Sequence, residues 1–251
     1  MTNPTSGENE PRDAAYWAKL ITTLEVTGVP TGALNLNVAG RQVVGPLQGF
    51  GQLWQKTYRV RLPSVTMTPA EVMQIWKENF PTFLPRGMRF YPVMQSVEPG
   101  QIMLINTDAS LMGIPVSTGV MILYADEETL TVMTPQGHPE SGWNTFSTYD
   151  DDGCVVCQIQ TLARANDPIY EMGFRLVGTG KQDNIWIQTL ETVAIYFHVN
   201  GQVTVSKTCL DPDVQWKEAK NVWQNAGIRT ILYTLAAPIR WLLRPLKRRR
   251  S

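Results

Sequence analysis

The residues best equipped for chemistry stand together in one short stretch, Gly137-His-Pro-Glu140, with Trp143 and Phe146 just beyond it. His138 is one of two histidines in a chain of 251 residues. An imidazole titrates near neutral pH and can give or take a proton there. Pro139 pushes the backbone of His138 toward extended conformations. Glu140, two residues on, falls on the same side of a strand edge, where it can orient the ring. The same four residues also make a rigid turn whose side chains bond to the backbone, and no nucleophile or metal-ligand set accompanies them. Both readings, a tentative His138–Glu140 catalytic pair and a structural turn, stay open on the residues alone.

Other reactive groups are sparser. Cys154 and Cys157 match a C-x-x-C spelling, but residues three apart in a strand point to opposite faces, so a shared metal or disulfide is not expected. Three cysteines in all, with Cys209 the third, make no disulfide framework and favour a reducing compartment. His198 near the end of a helix needs no catalytic reading. Glycine-rich phosphate loops, zinc-ligand sets and Gly-x-Ser-x-Gly elbows are missing from the sequence. No cofactor and no metal are expected.

The elements that must position these residues read clearly. Gln52–Leu62 alternates, with Trp54, Tyr58, Val60 and Leu62 on one face and Gln55, Thr57, Arg59 and Arg61 on the other, a half-buried strand. Thr68-Pro-Ala-Glu71 has the form of a capping box opening a helix to about Phe80. From Met88 to Ala165 the period is two: strands are expected at Arg89–Val97, Gln101–Thr107, Val116–Ala125, Thr129–Met133, Gly142–Tyr149 and Cys154–Ala165. Turns at Glu98–Gln101, Asp126–Glu128 and Asp150–Gly153 make these an antiparallel meander. Helical periodicity returns after Asp167 and again from Asp183 to Val199, where Trp186, Leu190, Val193, Ala194 and Phe197 form a stripe. Further helices are expected at Ala14–Val26, Asp211–Ala226 and Ile228–Leu246, and one more short strand at Gln202–Lys207.

The charge is balanced overall but unevenly placed. Residues 228–251 hold seven basic residues and no acid, which leaves 15 basic against 22 acidic in the rest. An acidic body with a basic end implies a local electrostatic task for that end. There Leu232, Leu235, Ile239, Leu242, Leu243 and Leu246 recur at three to four residues, with Arg240, Arg244, Lys247 and Arg248 as a cationic stripe and Tyr233 and Trp241 as interfacial aromatics. Such a segment suits an anionic membrane surface. It equally suits a partner protein, or packing on its own domain. Nucleic acid is not expected, because an acidic body repels phosphate. With no secretory pattern in residues 1–13 and no run of about 20 apolar residues, the expected location is cytoplasmic, peripheral at the inner face of the membrane if the tail binds there.

The order strand, helix, antiparallel meander, long helix places one helix across a curved sheet, and the gap between them becomes a cavity. In this layout, and in Gly137-His-Pro-Glu-Ser-Gly142 followed by Phe146-Ser147, an acidic hairpin and Val155–Ala165, the chain resembles the START-like (SRPBCC, polyketide-cyclase-like) superfamily. Within it, the chain is similar to an uncharacterised domain family. The resemblance implies an α+β helix-grip fold over residues 45–200: about seven antiparallel strands wrapped around a long helix, with a tail and short helix before it (1–44) and an extension after it (201–251). It also implies an apolar cavity for a hydrophobic, lipid-like or polyketide-like molecule, lined from Trp54, Tyr58, Phe90, Met121, Tyr124, Trp143, Phe146, Trp186, Leu190 and Phe197. Three roles remain open at this stage: a carrier of an apolar molecule, a cyclase or hydratase-type enzyme using His138 and Glu140, and an assembly subunit docking through its extensions.

Overall fold

A computed structural model describes residues 14–19, 21–92, 97–109, 113–177 and 180–238. Its centre is one antiparallel sheet. The strands are β1 (Val43–Val44), β2 (Leu53–Leu62), β3 (Met88–Pro92), β4 (Ile102–Thr107), β5 (Val116–Ala125), β6 (Thr129–Pro135), β7 (Glu140–Asp151), β8 (Cys154–Ala165) and β9 (Thr204–Asp211). They lie in the order β3-β4-β5-β6-β7-β8-β2-β9, with β1 paired beside β6. The short turns foreseen between β3 and β8 make each of those strands the neighbour of the next. The first long strand, β2, instead returns to pair with β8, Tyr58 opposite Ile159.

The helices are α1 (Pro69–Glu78), α2 (Phe80–Phe83), α3 (Pro168–Val177), α4 (Gly180–Tyr196) and α5 (Ala226–Leu235). The capping box at the start of α1 is formed: the Thr68 hydroxyl accepts from Glu71 N–H, and Thr68 N–H donates to the Glu71 carboxylate at 2.7 Å. Helix α4 lies across the inner face of the sheet, and its Leu190 and Val193 are fully buried against Tyr58, Val60 and Ile159. Burying such a side chain contributes about 1.5–3 kcal/mol. This is the α+β helix-grip arrangement, with nine strands where about seven were expected.

The outer face of the sheet is covered by the segment from Trp17 to Val38 and by helix α5. Leu24 and Val38 bury themselves against Ile102, Leu104 and Met121. The Asn37 amide donates to Ser117 O at 2.7 Å, and Ser117 N–H donates to Thr230 Oγ1 on α5 at 3.0 Å. The helix expected over Ala14–Val26 is only a 3-10 turn at Ala14–Tyr16. After it the chain is extended, Trp17 bridging to Tyr124 and Leu24 N–H bonding to Arg41 O. Its apolar residues, spaced as for a helix, serve as a strap on a flat surface; β-branched Thr22, Thr23 and Val26 suit that conformation.

The helix expected over Asp211–Ala226 is likewise corrected. Asp211 ends β9, and the helical part is a 3-10 stretch, Trp216–Gln224, held by Gln215 N–H donating to Phe50 O. Strand β9 runs to Asp211 along β2. Helix α5 starts at an Asn225 cap and ends at Leu235, ahead of Pro238; residues 239–251, which carry most of the basic tail, lie outside the described residues.

Candidate functional site

Between the inner face of the sheet and helices α3 and α4 lies a small cavity of about 70 Å³. Apolar side chains form most of its wall: Phe90 from β3, Val116 and Val120 from β5, Phe146 from β7, Phe174 from α3 and Trp186 from α4. They arrive there because alternate residues of each strand face inward, and because Trp186 belongs to the buried stripe of α4. Phe146 meets the Trp186 ring edge-on at 5.7 Å.

Polar residues interrupt this apolar wall: Thr107, Thr118, His138, Glu140 and Asn144. Thr118 Oγ1, Asn144 Oδ1 and Trp186 Nε1 are buried without a hydrogen-bond partner in the protein, and all three residues line the cavity. Of the seven such atoms among the described residues, these three belong to residues that line one cavity. A buried polar group without a partner costs about 1–3 kcal/mol, so such groups are normally paired. Together they offer one N–H donor, one carbonyl acceptor and one hydroxyl, none of them charged. If the cavity contains nothing that bonds it, Thr118→Val, which keeps the shape and removes the hydroxyl, should raise the unfolding free energy by about 1 kcal/mol. Urea denaturation reads this directly, and an unchanged midpoint would mean the hydroxyl is already satisfied.

His138, Pro139 and Glu140 also border the cavity. Gly137 precedes them at φ +85, and a Cβ there would run into the backbone of Gln224, so glycine is the residue that fits. His138 Nδ1 lies 3.0 Å from both the N–H and the carbonyl oxygen of Glu140, so the backbone of Glu140 holds the ring. Burial pushes the imidazole down to about 4, against a partial offset from the Glu140 carbonyl. The contacts are those of the turn reading: the backbone of Glu140 holds a ring that stays neutral at pH 7.

Beside the cavity is a buried polar cluster. Asp183, in the first turn of α4, accepts from Tyr58 Oη at 2.6 Å and from Lys56 Nζ at 3.2 Å, and forms an ion pair with Lys207. Burial alone would raise the Asp183 carboxyl; the bonds from Lys207 and Tyr58 and the charge of Lys56 hold it below the ordinary carboxylate range. Burial and the adjacent carboxylates of Asp183 and Glu140 push the Tyr58 phenol far up, so it stays protonated. Lys56 and Asp183 are not among the residues singled out from the sequence. Lys56 nonetheless carries a signal, because it stands on the apolar face of β2 between Trp54 and Tyr58. Asn144 does the same on β7, two residues before Phe146.

Of the ten lining residues expected, Phe90, Phe146 and Trp186 border the cavity. Tyr58 and Leu190 are buried in the same core, and Phe197 packs at its margin, but none of them lines the cavity. Trp54 is half-buried near the start of β2, also outside it. Met121, Tyr124 and Trp143 are on the opposite face of the sheet. Met121 packs under the N-terminal strap, while Tyr124 and Trp143 line an open groove of about 840 Å³ with Tyr16 and Trp17. The irregular register between Ile122 and Tyr124 shifts that strand and helps turn Tyr124 outward. Cys157 faces the inner core as a free thiol pushed up to about 12 by burial, and Cys154 is also free. Among the described residues, no three His, Cys, Asp or Glu side chains are placed to hold a metal. Tyr233 is exposed on α5, whereas Arg240, Trp241, Arg244, Lys247 and Arg248 lie outside the described residues.

No family model matches the chain, and no curated protein does. Solved structures overlap it in part. The di-domain ARO/CYC StfQ from the steffimycin biosynthetic pathway is 10% identical over 59% of this chain and 51% of its own, with a TM-score of 0.44. The chain thus spans about half the length of that protein. A protein from Thermus thermophilus is 12% identical over 57% of this chain and 97% of its own, at a TM-score of 0.44. Ara h 8.0201 is 13% identical over 58% and 98%, at 0.41.

Proposed function

We propose that this protein binds a small, mainly apolar molecule carrying one neutral polar group, held in the cavity between the sheet and α4. The observation that carries this reading is that Thr118, Asn144 and Trp186, whose buried Oγ1, Oδ1 and Nε1 have no protein partners, all line one mainly apolar cavity. A hydroxyl or carbonyl presented there would satisfy groups that the fold itself leaves unpaired. One water needs about 10–15 Å³ by the same measure, so the cavity admits roughly five to seven heavy atoms, about one substituted ring. A lipid-like or polyketide-like molecule, the ligand expected from the resemblance, exceeds that space. A group titrating near 4 is protonated in only about one molecule in a thousand at pH 7, which disfavours His138 as a general acid there.

The test compares phenol with toluene, which share a ring and differ in the polar group, by isothermal titration. Phenol should bind about tenfold more tightly, the worth of one hydrogen bond to a buried partner. Trp186→Phe should lower that preference. Equal affinities in the wild type, or no binding of either, would overturn the assignment.

A further inference from the structure

The strand registers bring several segments to one end of the sheet. The β4–β5 connection is there, since Thr107 pairs with Val116. So are the His138 turn and the end of β8, since Glu140 pairs with Ala165. Helix α3 leaves the sheet from this end, and α5 begins at it: Ala226 N–H donates to Gly137 O at 2.9 Å and Gly227 N–H to Tyr170 Oη at 2.8 Å.

Both helices turn apolar side chains outward here. On α3, Tyr170 is buried and Phe174 faces the cavity, while Ile169, Met172 and Leu176 stand at spacings of three and four, one stripe along the helix. Met172 is 57% exposed and Leu176 78%. On α5, Leu232 is 61% and Leu235 70% exposed, and Trp223, just before the helix, is 84% exposed. Single exposed apolar residues need no explanation, but rows of them on two helices whose first turns meet at one end of a sheet, Gly227 against Tyr170, mark a surface with an occupant.

Charge identifies the occupant. Arg229 is exposed on α5, close enough to Arg41 that the two cations repel, which adds to the burial that lowers the Arg41 pKa. From Ile239 onward the sequence adds Trp241, Leu242, Leu243 and Leu246 together with Arg240, Arg244, Lys247, Arg248, Arg249 and Arg250, and no acid. Apolar rows, tryptophans and a dense cationic segment together fit the headgroup region of an anionic bilayer, where basic residues add to the burial of apolar ones.

We infer that this end of the molecule docks on an anionic phospholipid surface, with the outer stripe of α3 and the exposed leucines of α5 at the boundary between headgroups and acyl chains. The docking stands independently of the cavity reading. If both hold, the bilayer touches the helix whose other side, through Phe174, walls the ligand cavity.

Co-sedimentation of the full chain with vesicles tests the inference. The protein should bind vesicles of phosphatidylcholine mixed with phosphatidylglycerol far better than phosphatidylcholine alone, and added salt should weaken binding. Met172→Glu/Leu176→Glu, at exposed positions that leave the core intact, should lower binding to the mixed vesicles by at least about tenfold. Arg240→Gln/Arg244→Gln/Lys247→Gln/Arg248→Gln should lower it as well. Indifference to phosphatidylglycerol overturns the inference. So does a stripe variant that sediments like the wild type, or association with a protein but not with vesicles. Both variants should still bind phenol as the wild type does, so a failed docking face and a failed cavity are told apart.

Discussion

Asp183→Ala is expected to lower the unfolding free energy by about 3–5 kcal/mol, because it removes the carboxylate that a buried ammonium and a buried phenol both bond. Lys56 and Tyr58 reach Asp183 from β2, and Lys207 reaches it from β9. The aspartate thus fastens the first turn of α4 to two strands. Its loss removes the carboxylate that faces the Lys56 and Lys207 cations and frees the end of the helix that carries Ile185 and Trp186 into the cavity wall. Tyr58→Phe removes one of these bonds and should cost less, about 1.5–3 kcal/mol, as for a hydrogen bond to a charged group. Pairing Asp183→Leu with Lys56→Met should recover much of the loss, since an apolar replacement of a buried ion pair is often neutral. Urea denaturation of the set checks this. A single Asp183→Ala variant as stable as the wild type would show that the cluster holds nothing together.

Between pH 6.5 and about 4, the protein should lose up to about 3 kcal/mol of stability through His138 alone. The imidazole is pushed down to about 4 in the folded chain, from an ordinary value of 6.5. The unfolded chain therefore takes up the proton first as pH falls. The stabilisation is complete above the unfolded value, declines through the interval, and is gone below the folded one. Asp183 acts in a different window. Its folded pKa is depressed, so its contribution is present above the ordinary aspartate range and is lost only as pH falls through the lower folded value. His138→Asn separates the two: the asparagine oxygen can accept from Glu140 N–H in place of Nδ1 but does not titrate. Denaturation curves at neutral pH and near pH 4.5 should show a steep loss in the wild type and a shallower one in the variant. Parallel losses would exclude His138 as the source.

The sheet was legible because its residues announce it locally. Val116–Ala125 and Cys154–Ala165 alternate, turn residues separate them, and the observed strands occupy the same spans. The capping box of Thr68 and Glu71 was equally local. Readings failed where tertiary contact overrides a short pattern. Apolar residues at helical spacing near Leu24 lie extended, because the outer face of the sheet offers them a flat apolar seat. The wall of the cavity was legible only in part. Aromatic residues such as Tyr124, Trp143 and Phe146 look alike in sequence, and which face each one joins depends on strand parity and on the irregular register in β5. The polar residues were the stronger clue. Lys56 and Asn144 break the apolar side of their strands, and a polar residue in such a position is held by a partner or waits for one.

The return of β2 to a place between β8 and β9 sets the order in which the molecule can be made. Its partners are β8, where Trp54 lies opposite Ala163, and β9, where Trp54 lies opposite Cys209. As the chain emerges from the ribosome, β2 comes early and both of its neighbours come late. Until then its ten residues form a lone strand with open backbone on both sides, and closing the sheet requires a long loop to be gathered first. Folding should therefore be slow and concentrated at the end of synthesis, with newly made, incomplete chains the form most exposed to aggregation.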